Sequence, residues 1–366
     1  MYTNYRNLIK QRDLASLVQY QKSLFQKPRL RFLFFELTDS CNLSCLHCGS
    51  NCISSNQRYL PYEAIEKVLF SILKEYEPHE VMICITGGEP MLHPDIFEIV
   101  SLSHHFGFPV GMTTNGTLID HCAAVKLKES GLDTIAISID GTEKVHDHFR
   151  NCKGSFKKAL EGARNLKKAG IEPQAITVVS KNNINALEDL YSLLKNEEFY
   201  SWRLTNIDPI GRANDNQELL LDFEEMEYLL NYIREKRYDN KNNMDVTFGC
   251  SHYVTTSYER EVRDFYFQCG AGTLVGSVMA NGNIGACLDI ERREELIQGN
   301  IYENEFLDVW NNRFQIFREN RADKSEMCSQ CSHSKFCMGD SAHTWDYDNN
   351  EPRYCWKQLK ERKQRI

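Results

Sequence analysis

The segment Glu36-Leu-Thr-Asp-Ser-Cys-Asn-Leu-Ser-Cys-Leu-His-Cys48 places Cys41, Cys45 and Cys48 in the spacing Cys-x3-Cys-x2-Cys. It follows a short apolar run, Phe32 to Leu37, that predicts a buried β-strand. Three thiolates on one tight loop can hold three corners of a [4Fe–4S] cluster, which usually takes four cysteine ligands. The missing fourth ligand leaves one iron open to a substrate or cofactor. This loop is therefore the first candidate for a reactive site.

Composition and the N-terminus narrow the class of protein. The 366 residues suggest two or three domains, and the formal net charge of −8 argues against nucleic acid as the main partner. No apolar run approaches the about 20 residues that span a membrane, and no signal-peptide pattern opens the chain, so we expect a cytoplasmic protein. Fourteen cysteines there predict metal or cluster ligation rather than disulfides. For the first three, a zinc site completed by His47 or Cys52 is the alternative.

Short apolar runs alternate with amphipathic segments, which predicts strands joined by helices. The predicted strands are Phe32–Leu37, Val81–Thr86, Val110–Thr114, Thr134–Ile139, Ile171–Val179 and Ser201–Ile207. The predicted helices between them are Tyr62–Tyr76, Ile96–Phe106, Cys122–Glu129, Ser155–Ala169 and Asn185–Glu197. This alternation predicts an α/β fold with parallel pairing, in an open, partial (β/α)6 TIM-like barrel. Ligands of such a barrel gather at the C-terminal ends of its strands.

A second motif, Gly87-Gly88-Glu89-Pro90, directly follows the second predicted strand. Two glycines at a strand end let a ligand approach the backbone closely, where a side chain would clash. Together with the cysteine triplet, this motif resembles the radical S-adenosylmethionine (SAM) superfamily. The resemblance implies a [4Fe–4S] cluster whose open iron binds SAM, which is cleaved to a 5′-deoxyadenosyl radical that removes hydrogen from a substrate. It also implies a flavodoxin- or ferredoxin-type reductant.

The resemblance assigns the SAM contacts residue by residue. The implied contacts are Gly87, Gly88, Glu89, His47, Ser138, Asp140 and Arg150. The Gly-Gly-Glu motif is expected to receive the amino group of SAM, and His47 fills the position beside the adenine. Ser138 and Asp140 end the fourth strand, where the family contacts the ribose or carboxylate. Arg150 matches an arginine that pairs with the SAM carboxylate, because a guanidinium binds a carboxylate through two charge-assisted hydrogen bonds.

Six of the last seven cysteines form a second pattern. They are Cys269, Cys287, Cys328, Cys331, Cys337 and Cys355. This pattern resembles the SPASM domain, which adds auxiliary iron–sulfur clusters to radical SAM enzymes. The resemblance implies that the last four hold one auxiliary [4Fe–4S] cluster. Ser341 stands where the family usually has a further cysteine, so Cys269 and Cys287 are predicted to form only a partial second site.

Several cysteines keep more than one interpretation. The last four also fit a zinc-ribbon spacing. Cys269 and Cys287 can hold a partial cluster, pack as small buried residues, or offer a catalytic thiol near the substrate. Cys52 is a third candidate thiol, because it lies on a loop near the predicted barrel mouth. Cys250 is the nearest cysteine upstream of Cys269.

Changes in composition mark the predicted domain boundaries. The stretch 208–243 is polar and acidic, with one predicted helix at Phe223–Arg237, and the chain becomes glycine- and cysteine-rich after it. The predicted units are an N-terminal extension at 1–30, a radical SAM partial barrel at 31–213, a helical bridge at 214–248, and a small cysteine-rich SPASM-like domain at 249–366.

The combination of these two domains resembles peptide-modifying maturases, which implies a peptide substrate that is crosslinked, epimerised or oxidised. The residues before the first strand are too few for a fused leader-recognition domain, which leaves a separate leader-recognition protein, direct leader binding or no leader as open alternatives. One alternative is a dehydrogenase or epimerase of a small molecule such as an aminosugar. An alternative of another class is a non-catalytic iron–sulfur or zinc module. Cleavage of SAM by the reduced protein separates the enzymes from that module.

Overall fold

A long mixed sheet organises the protein. The computed structural model describes residues 2–55, 57–239, 243–249 and 252–364, so Cys250 lies outside the described residues. The strands β1 to β10 are Phe32–Glu36, Met82–Thr86, Val110–Thr114, Thr134–Ser138, Pro173–Val179, Ser201–Asn206, Asp245–Phe248, Val275–Val278, Asn283–Gly285 and Gly299–Asn300. Their order in the sheet is β10-β9-β8-β1-β2-β3-β4-β5-β6-β7. A separate hairpin pairs β11 (Trp345–Asp346) with β12 (Glu351–Pro352).

The six predicted strands form the parallel centre of this sheet, as expected for a partial barrel. Each of β1 to β5 pairs in parallel with the next strand along the chain. In β2, Ile83 and Ile85 are buried on one face, whereas Cys84 and Thr86 are half-buried on the other. Strands with one face under helices and the other toward a lumen produce this alternation. The prediction of an α/β partial barrel is therefore confirmed.

Strands from the second half of the chain extend the sheet at both edges. β7 pairs in parallel with β6, beyond the sixth predicted strand. β8 pairs in parallel with β1, so that Phe32 lies beside Val275. β9 and β10 then add antiparallel pairs at that edge. The cysteine-rich C-terminal region is thus joined to the barrel through backbone hydrogen bonds.

Helices cover the outer face of the sheet and shield its apolar side chains. The helices α1 to α14 are Tyr2–Gln26, Tyr62–Ile72, Ile96–His105, His121–Glu129, Glu143–Phe149, Ser155–Lys168, Leu187–Asn196, Arg212–Asp215, Phe223–Tyr238, Thr255–Tyr258, Phe306–Asn312, Glu326–Ser329, Ser334–Cys337 and Trp356–Gln364. Side-chain caps start several of them. Asp222 and Glu225 form a capping box at the start of α9, which satisfies backbone N–H groups that the helix leaves free.

The main core lies between the sheet and these helices and runs on into the C-terminal region. It includes Phe35, Ile83 and Trp202 of the sheet and Phe306 and Trp310 of α11. The C-terminal ends of β1 to β6 form the mouth of the barrel, where the cysteine loop follows β1. Within the described residues, no helix is both long enough and apolar enough to cross a membrane.

Candidate active site

The cysteine loop, residues 41–52, follows β1 at the barrel mouth and forms neither helix nor strand. Cys41 and Cys45 are buried, and Cys48 is half-buried. These three thiols pack in one cluster with Cys52 and Cys152. The structure therefore brings the predicted cluster ligands together on a single loop, and it adds two further sulfur atoms to their surroundings.

The glycine motif lies directly against this loop. The Gly88 N–H donates to the Thr38 carbonyl at 2.7 Å, and the Glu89 N–H donates to the Ser40 carbonyl at 2.9 Å. A Cβ atom on Gly88 would collide with the Ser40 carbonyl, and one on Gly87 would lie 2.7 Å from the Thr38 carbonyl. Glycine is therefore required at both positions because two backbone segments approach each other closely here. This requirement is independent of the expected contact with a ligand.

Glu89 is fully buried and its carboxylate is held on both sides. One oxygen accepts from the Thr114 hydroxyl at 2.6 Å and the other accepts from the Asn115 N–H at 2.8 Å. Burial raises the pKa of Glu89, and these hydrogen bonds oppose the increase. In this structure Glu89 ties the end of β2 to the end of β3, which fixes the edge of the mouth.

Asp140 and Arg150 form a buried ion pair at the end of β4. Arg150 Nε donates to Asp140 Oδ2 at 2.5 Å, and Arg150 Nη1 lies 3.6 Å from Cys45 Sγ. Burial would raise the pKa of Asp140, but Arg150 and two histidines hold it below its usual range. Asp140 also accepts from the Val178 N–H at 2.9 Å. The predicted SAM contacts Asp140 and Arg150 thus connect β4, β5 and the cysteine loop, while Ser138 lies half-buried at the end of β4.

His47 is half-buried within the cysteine loop. Its ring stacks on Phe149 with 4.1 Å between centroids and 8° between planes. Burial lowers the pKa of His47 to about 3, so the ring is neutral at physiological pH. Its Nδ1 atom is buried without a hydrogen-bond partner among the described residues. An orphaned polar atom of this kind is available to a bound group.

The thiol of Cys52 lies beside the third predicted ligand. A hydrogen bond from Cys52 lowers the pKa of Cys48, and the same interaction raises the pKa of Cys52. The opposite directions of the two shifts reflect one hydrogen bond shared by the two sulfur atoms. Cys52 is therefore located at the predicted SAM cluster, whereas the other two candidate thiols, Cys269 and Cys287, lie in the C-terminal region.

The last four cysteines surround one cavity. Cys328 and Cys337 lie in the single-turn helices α12 and α13, Cys331 lies between these helices, and Cys355 immediately precedes α14. Together they line a cavity of about 40 Å³, which exceeds the about 10–15 Å³ that one water molecule needs. Burial raises the pKa of Cys355 to about 12, so a bound metal is needed to make it a thiolate at neutral pH.

Cys269 and Cys287 lie apart from that cavity, near the segment that carries Ser341. The Ala342 N–H donates to Cys269 Sγ at 3.4 Å, and Ser341 is buried beside it. Cys287 Sγ lies 4.0 Å from Asp289. The structure therefore places Ser341 close to Cys269, in agreement with the predicted position of the missing cysteine.

A buried hydrogen-bond network joins the barrel to the C-terminal region, and the sequence analysis missed it. His252 Nε2 donates to Asp208 Oδ1 at 2.7 Å and its Nδ1 donates to Asp340 Oδ2 at 3.2 Å, while His343 Nε2 lies 3.0 Å from the second Asp208 oxygen. Although burial would lower it, the two carboxylates raise the pKa of His252 to about 10. Asp208 lies two residues after β6. A polar residue just after a strand is the only sequence feature that could have indicated this network.

The donor set fits iron–sulfur clusters. Each region offers at least three cysteine sulfurs without a competing disulfide among the described residues. No three His, Cys, Asp or Glu side chains in that part of the chain converge closely enough to ligate a single metal ion. The four C-terminal cysteines instead surround a cavity, and the arrangement of several sulfurs around a space is the one a multi-iron group requires.

Comparison with known proteins gives the same assignment. Residues 35–194 match the radical SAM superfamily, and residues 269–332 match an iron–sulfur cluster-binding domain, SPASM. The chain is 31% identical to mycofactocin maturase MftC of Mycobacterium ulcerans, in an alignment that covers 84% of this chain and 81% of MftC. It is 29% identical to the AdoMet-dependent heme synthase of Methanosarcina barkeri, over 89% of its length and 96% of that protein.

The fold also agrees with a solved structure. The native enzyme anSMEcpe with bound AdoMet and the Cp18Cys peptide superposes with a TM-score of 0.71, at 21% identity, over 91% of this chain and 95% of that one. The alignment thus includes both the barrel and the cysteine-rich region. The protein belongs to the radical SAM superfamily and is a radical SAM enzyme with a C-terminal SPASM domain, a [4Fe–4S] cluster that binds SAM, and auxiliary iron–sulfur ligation.

Proposed function

We propose that this enzyme removes a hydrogen atom from a peptide substrate and thereby crosslinks, epimerises or oxidises it. The observation that carries the proposal is the 31% identity to mycofactocin maturase, which extends over 81% of that protein. A similarity of this extent includes parts of both the barrel and the cysteine-rich region.

The roles of the residues at the mouth follow from their positions. Cys41, Cys45 and Cys48 hold the SAM cluster through three irons. The bound cluster and SAM supply the one-electron cleavage that generates the hydrogen-abstracting radical. Arg150 lies beside Cys45 Sγ, where its positive charge offsets the charge of the thiolates. The paired Asp140 keeps this guanidinium in place, because neither ion is favourable in a buried site alone.

The lumen of the barrel holds the substrate in this proposal. Its walls carry half-buried side chains from alternate positions of the strands, among them Cys84, Ile176 and Arg203. Arg203 is the charged member of this set and makes no hydrogen bond or ion pair with the described residues. The lining mixes polar and apolar side chains, so it can contact both the apolar and the hydrogen-bonding groups of a substrate.

We further propose one complete auxiliary cluster, held by the four C-terminal cysteines. Their shared cavity supports this assignment. Ser341 replaces a thiol beside Cys269, so Cys269 and Cys287 hold at most a partial site. With four irons per cluster, anaerobically prepared protein should contain about eight irons, and a value of about twelve would contradict the proposal.

A second candidate substrate is an iron porphyrin. The M. barkeri heme synthase aligns over 96% of its length, more than the maturase does. In this alternative the small-molecule substrate is a flat macrocycle, which the lumen accepts instead of a peptide side chain. The two candidates share the SAM chemistry and differ only in what the lumen accepts.

The two candidates can be separated in one assay. Reconstituted protein is reduced, supplied with SAM, and incubated either with short peptides encoded beside its gene or with iron porphyrins other than heme. We expect 5′-deoxyadenosine to form and one peptide to change in mass or to incorporate solvent deuterium. Conversion of the porphyrin alone would replace the peptide proposal. Intact SAM in every reaction, matching a Cys45→Ala control, would favour a non-catalytic module.

A further inference from the structure

The cysteine loop depends on a residue that neither motif contains. A loop without helix or strand leaves its carbonyl groups to find partners elsewhere. Arg212, six residues beyond the end of β6, donates hydrogen bonds to three of these carbonyl groups. Its Nε donates to the Cys45 carbonyl at 2.7 Å, its Nη1 donates to the Cys52 carbonyl at 3.2 Å, and its own N–H donates to the Cys48 carbonyl at 3.0 Å.

Two neighbours of Arg212 complete this contact. Asn216 Nδ2 donates to the Leu46 carbonyl at 3.3 Å and to the Arg212 carbonyl at 2.8 Å. Gly211 adopts a φ of +52°, and a Cβ atom there would collide with the carbonyl oxygens of Cys48 and Gly49. The segment 211–216 is therefore in direct backbone contact with the loop, and we call it the β6 clamp.

The β6 clamp carries charge as well as hydrogen bonds. Two guanidinium groups approach the loop: Arg150 reaches Cys45 Sγ directly, whereas Arg212 binds the carbonyl groups around the thiolates. The potential of an iron–sulfur cluster depends on nearby charge and on hydrogen bonds at its ligands. Residues outside the ligand set that orient the ligands also influence how firmly the metal is held.

We propose that Arg212 is a positioning residue for the SAM cluster, which fixes the loop through its guanidinium and makes the cluster easier to reduce through its charge. This inference rests on the proposed ligand role of Cys41, Cys45 and Cys48. It implies that the end of the sixth strand, far along the chain from the cysteines, sets the geometry of the SAM-binding cluster. Arg212 acts through the loop and not by touching a reacting atom.

The first test compares Arg212→Gln with Arg212→Lys in the full-length, reconstituted enzyme. The measurements are the midpoint potential of the SAM cluster by EPR, the EPR change on adding SAM, and the rate of iron loss to a chelator. The auxiliary cluster serves as the internal reference. Arg164→Gln is the matched control, because Arg164 pairs with Glu197 on the surface.

Loss of the charge in Arg212→Gln should shift the midpoint potential to a more negative value and accelerate iron loss from the SAM cluster only. Lysine keeps the positive charge but lacks the several N–H donors of the guanidinium group. The midpoint potential should therefore shift less in Arg212→Lys than in Arg212→Gln, while Arg212→Lys should still lose iron faster than wild type. A wild-type potential together with wild-type iron retention in Arg212→Gln would overturn the inference. Absence of a SAM-responsive cluster from the wild type would instead overturn the proposed function.

A second test does not alter charge and covers the case in which Arg212→Gln fails to fold. Gly211→Ala adds one methyl group where the backbone of the loop lies. Gly170→Ala is its control, because Gly170 also has a positive φ but nothing lies within 4 Å of its Cβ position. Faster alkylation of the loop thiols in cluster-free Gly211→Ala, but not in Gly170→Ala, supports the clamp. Equal alkylation rates in both variants and in wild type contradict it.

Discussion

The two cysteine sites of this protein are held by different parts of the chain. At the barrel mouth, the cysteine loop contacts Gly88 after β2, Arg150 after β4 and Arg212 after β6. In the C-terminal region, three of the four cysteines lie between Cys328 and Cys337, in consecutive tight turns. The first site is therefore attached to the parallel sheet, whereas the second is built largely from short turns outside any sheet.

This difference has a consequence for how each site depends on metal. The parallel sheet and its buried ion pair can hold the cysteine loop in place whether or not a cluster is bound. The C-terminal turns belong to no sheet, so a cluster would supply a crosslink between them, as in small metal-binding domains. The comparison thus predicts a preorganised SAM site and a metal-dependent auxiliary site.

The largest effect is expected from removing a predicted SAM-cluster ligand. Cys45→Ala should abolish SAM cleavage while the protein stays folded, because the sheet supports the loop without the metal. The measurement is 5′-deoxyadenosine formation, together with iron content and circular dichroism. Cys122→Ala, at an exposed position on α4, is the control and should behave as wild type. Cleavage at the wild-type rate by Cys45→Ala would remove the loop from the active site.

The next effect concerns the ion pair that supports the barrel mouth. Asp140→Asn leaves the Arg150 guanidinium buried without its counterion, which should lower the free energy of unfolding by about 3–5 kcal/mol. Glu197→Gln breaks the surface pair with Arg164 and should cost at most about 1 kcal/mol. Anaerobic urea denaturation of both variants measures the difference. Equal, small losses in both would mean that the pair does not support the mouth.

The junction between the two regions should respond to alkaline pH. The pKa of His252 is raised from 6.5 to about 10 between Asp208 and Asp340. A raised pKa contributes stability that is complete below pH 6.5 and is lost as pH rises through about 10. The difference in unfolding free energy between wild type and His252→Gln should therefore shrink as the pH rises from 6.5 to 10, by up to about 5 kcal/mol. A difference independent of pH would show that His252 is not charged in the folded protein.

The smallest effect separates the two sites by their dependence on metal. Removal of iron with a chelator should make amide hydrogen exchange in residues 326–337 at least about tenfold faster, or about 1.4 kcal/mol of local stability. The amides of β1 to β6 should keep their exchange rates. Equal acceleration in both regions would contradict the distinction between a preorganised and a metal-dependent site.

Much of this architecture could be predicted from the sequence, because its signals are local. Strands such as Val110–Thr114 and Thr134–Ser138 are apolar runs bounded by polar segments, and each was predicted within one residue of its observed ends. The cysteine spacings are equally local. The prediction of a SPASM domain in a radical SAM protein followed from them and is confirmed.

The remainder depends on contacts between distant segments. The pairing of β8 with β1 joins residues that lie more than two hundred positions apart, and the short, neutral segment Val275–Val278 gives no sign of its partner. Arg212 is one of 43 lysines and arginines, and its neighbours in the sequence do not reveal that it binds the cysteine loop. The Asp208–His252 hydrogen bond is hidden for the same reason.

The most direct test of this account is 57Fe Mössbauer spectroscopy of the reconstituted protein before and after SAM is added. One iron of one cluster should change its spectrum when SAM binds, because Cys41, Cys45 and Cys48 leave that iron without a protein ligand. The auxiliary cluster should remain unchanged. Spectra that are identical with and without SAM would contradict the central claim that this loop provides an open iron for SAM.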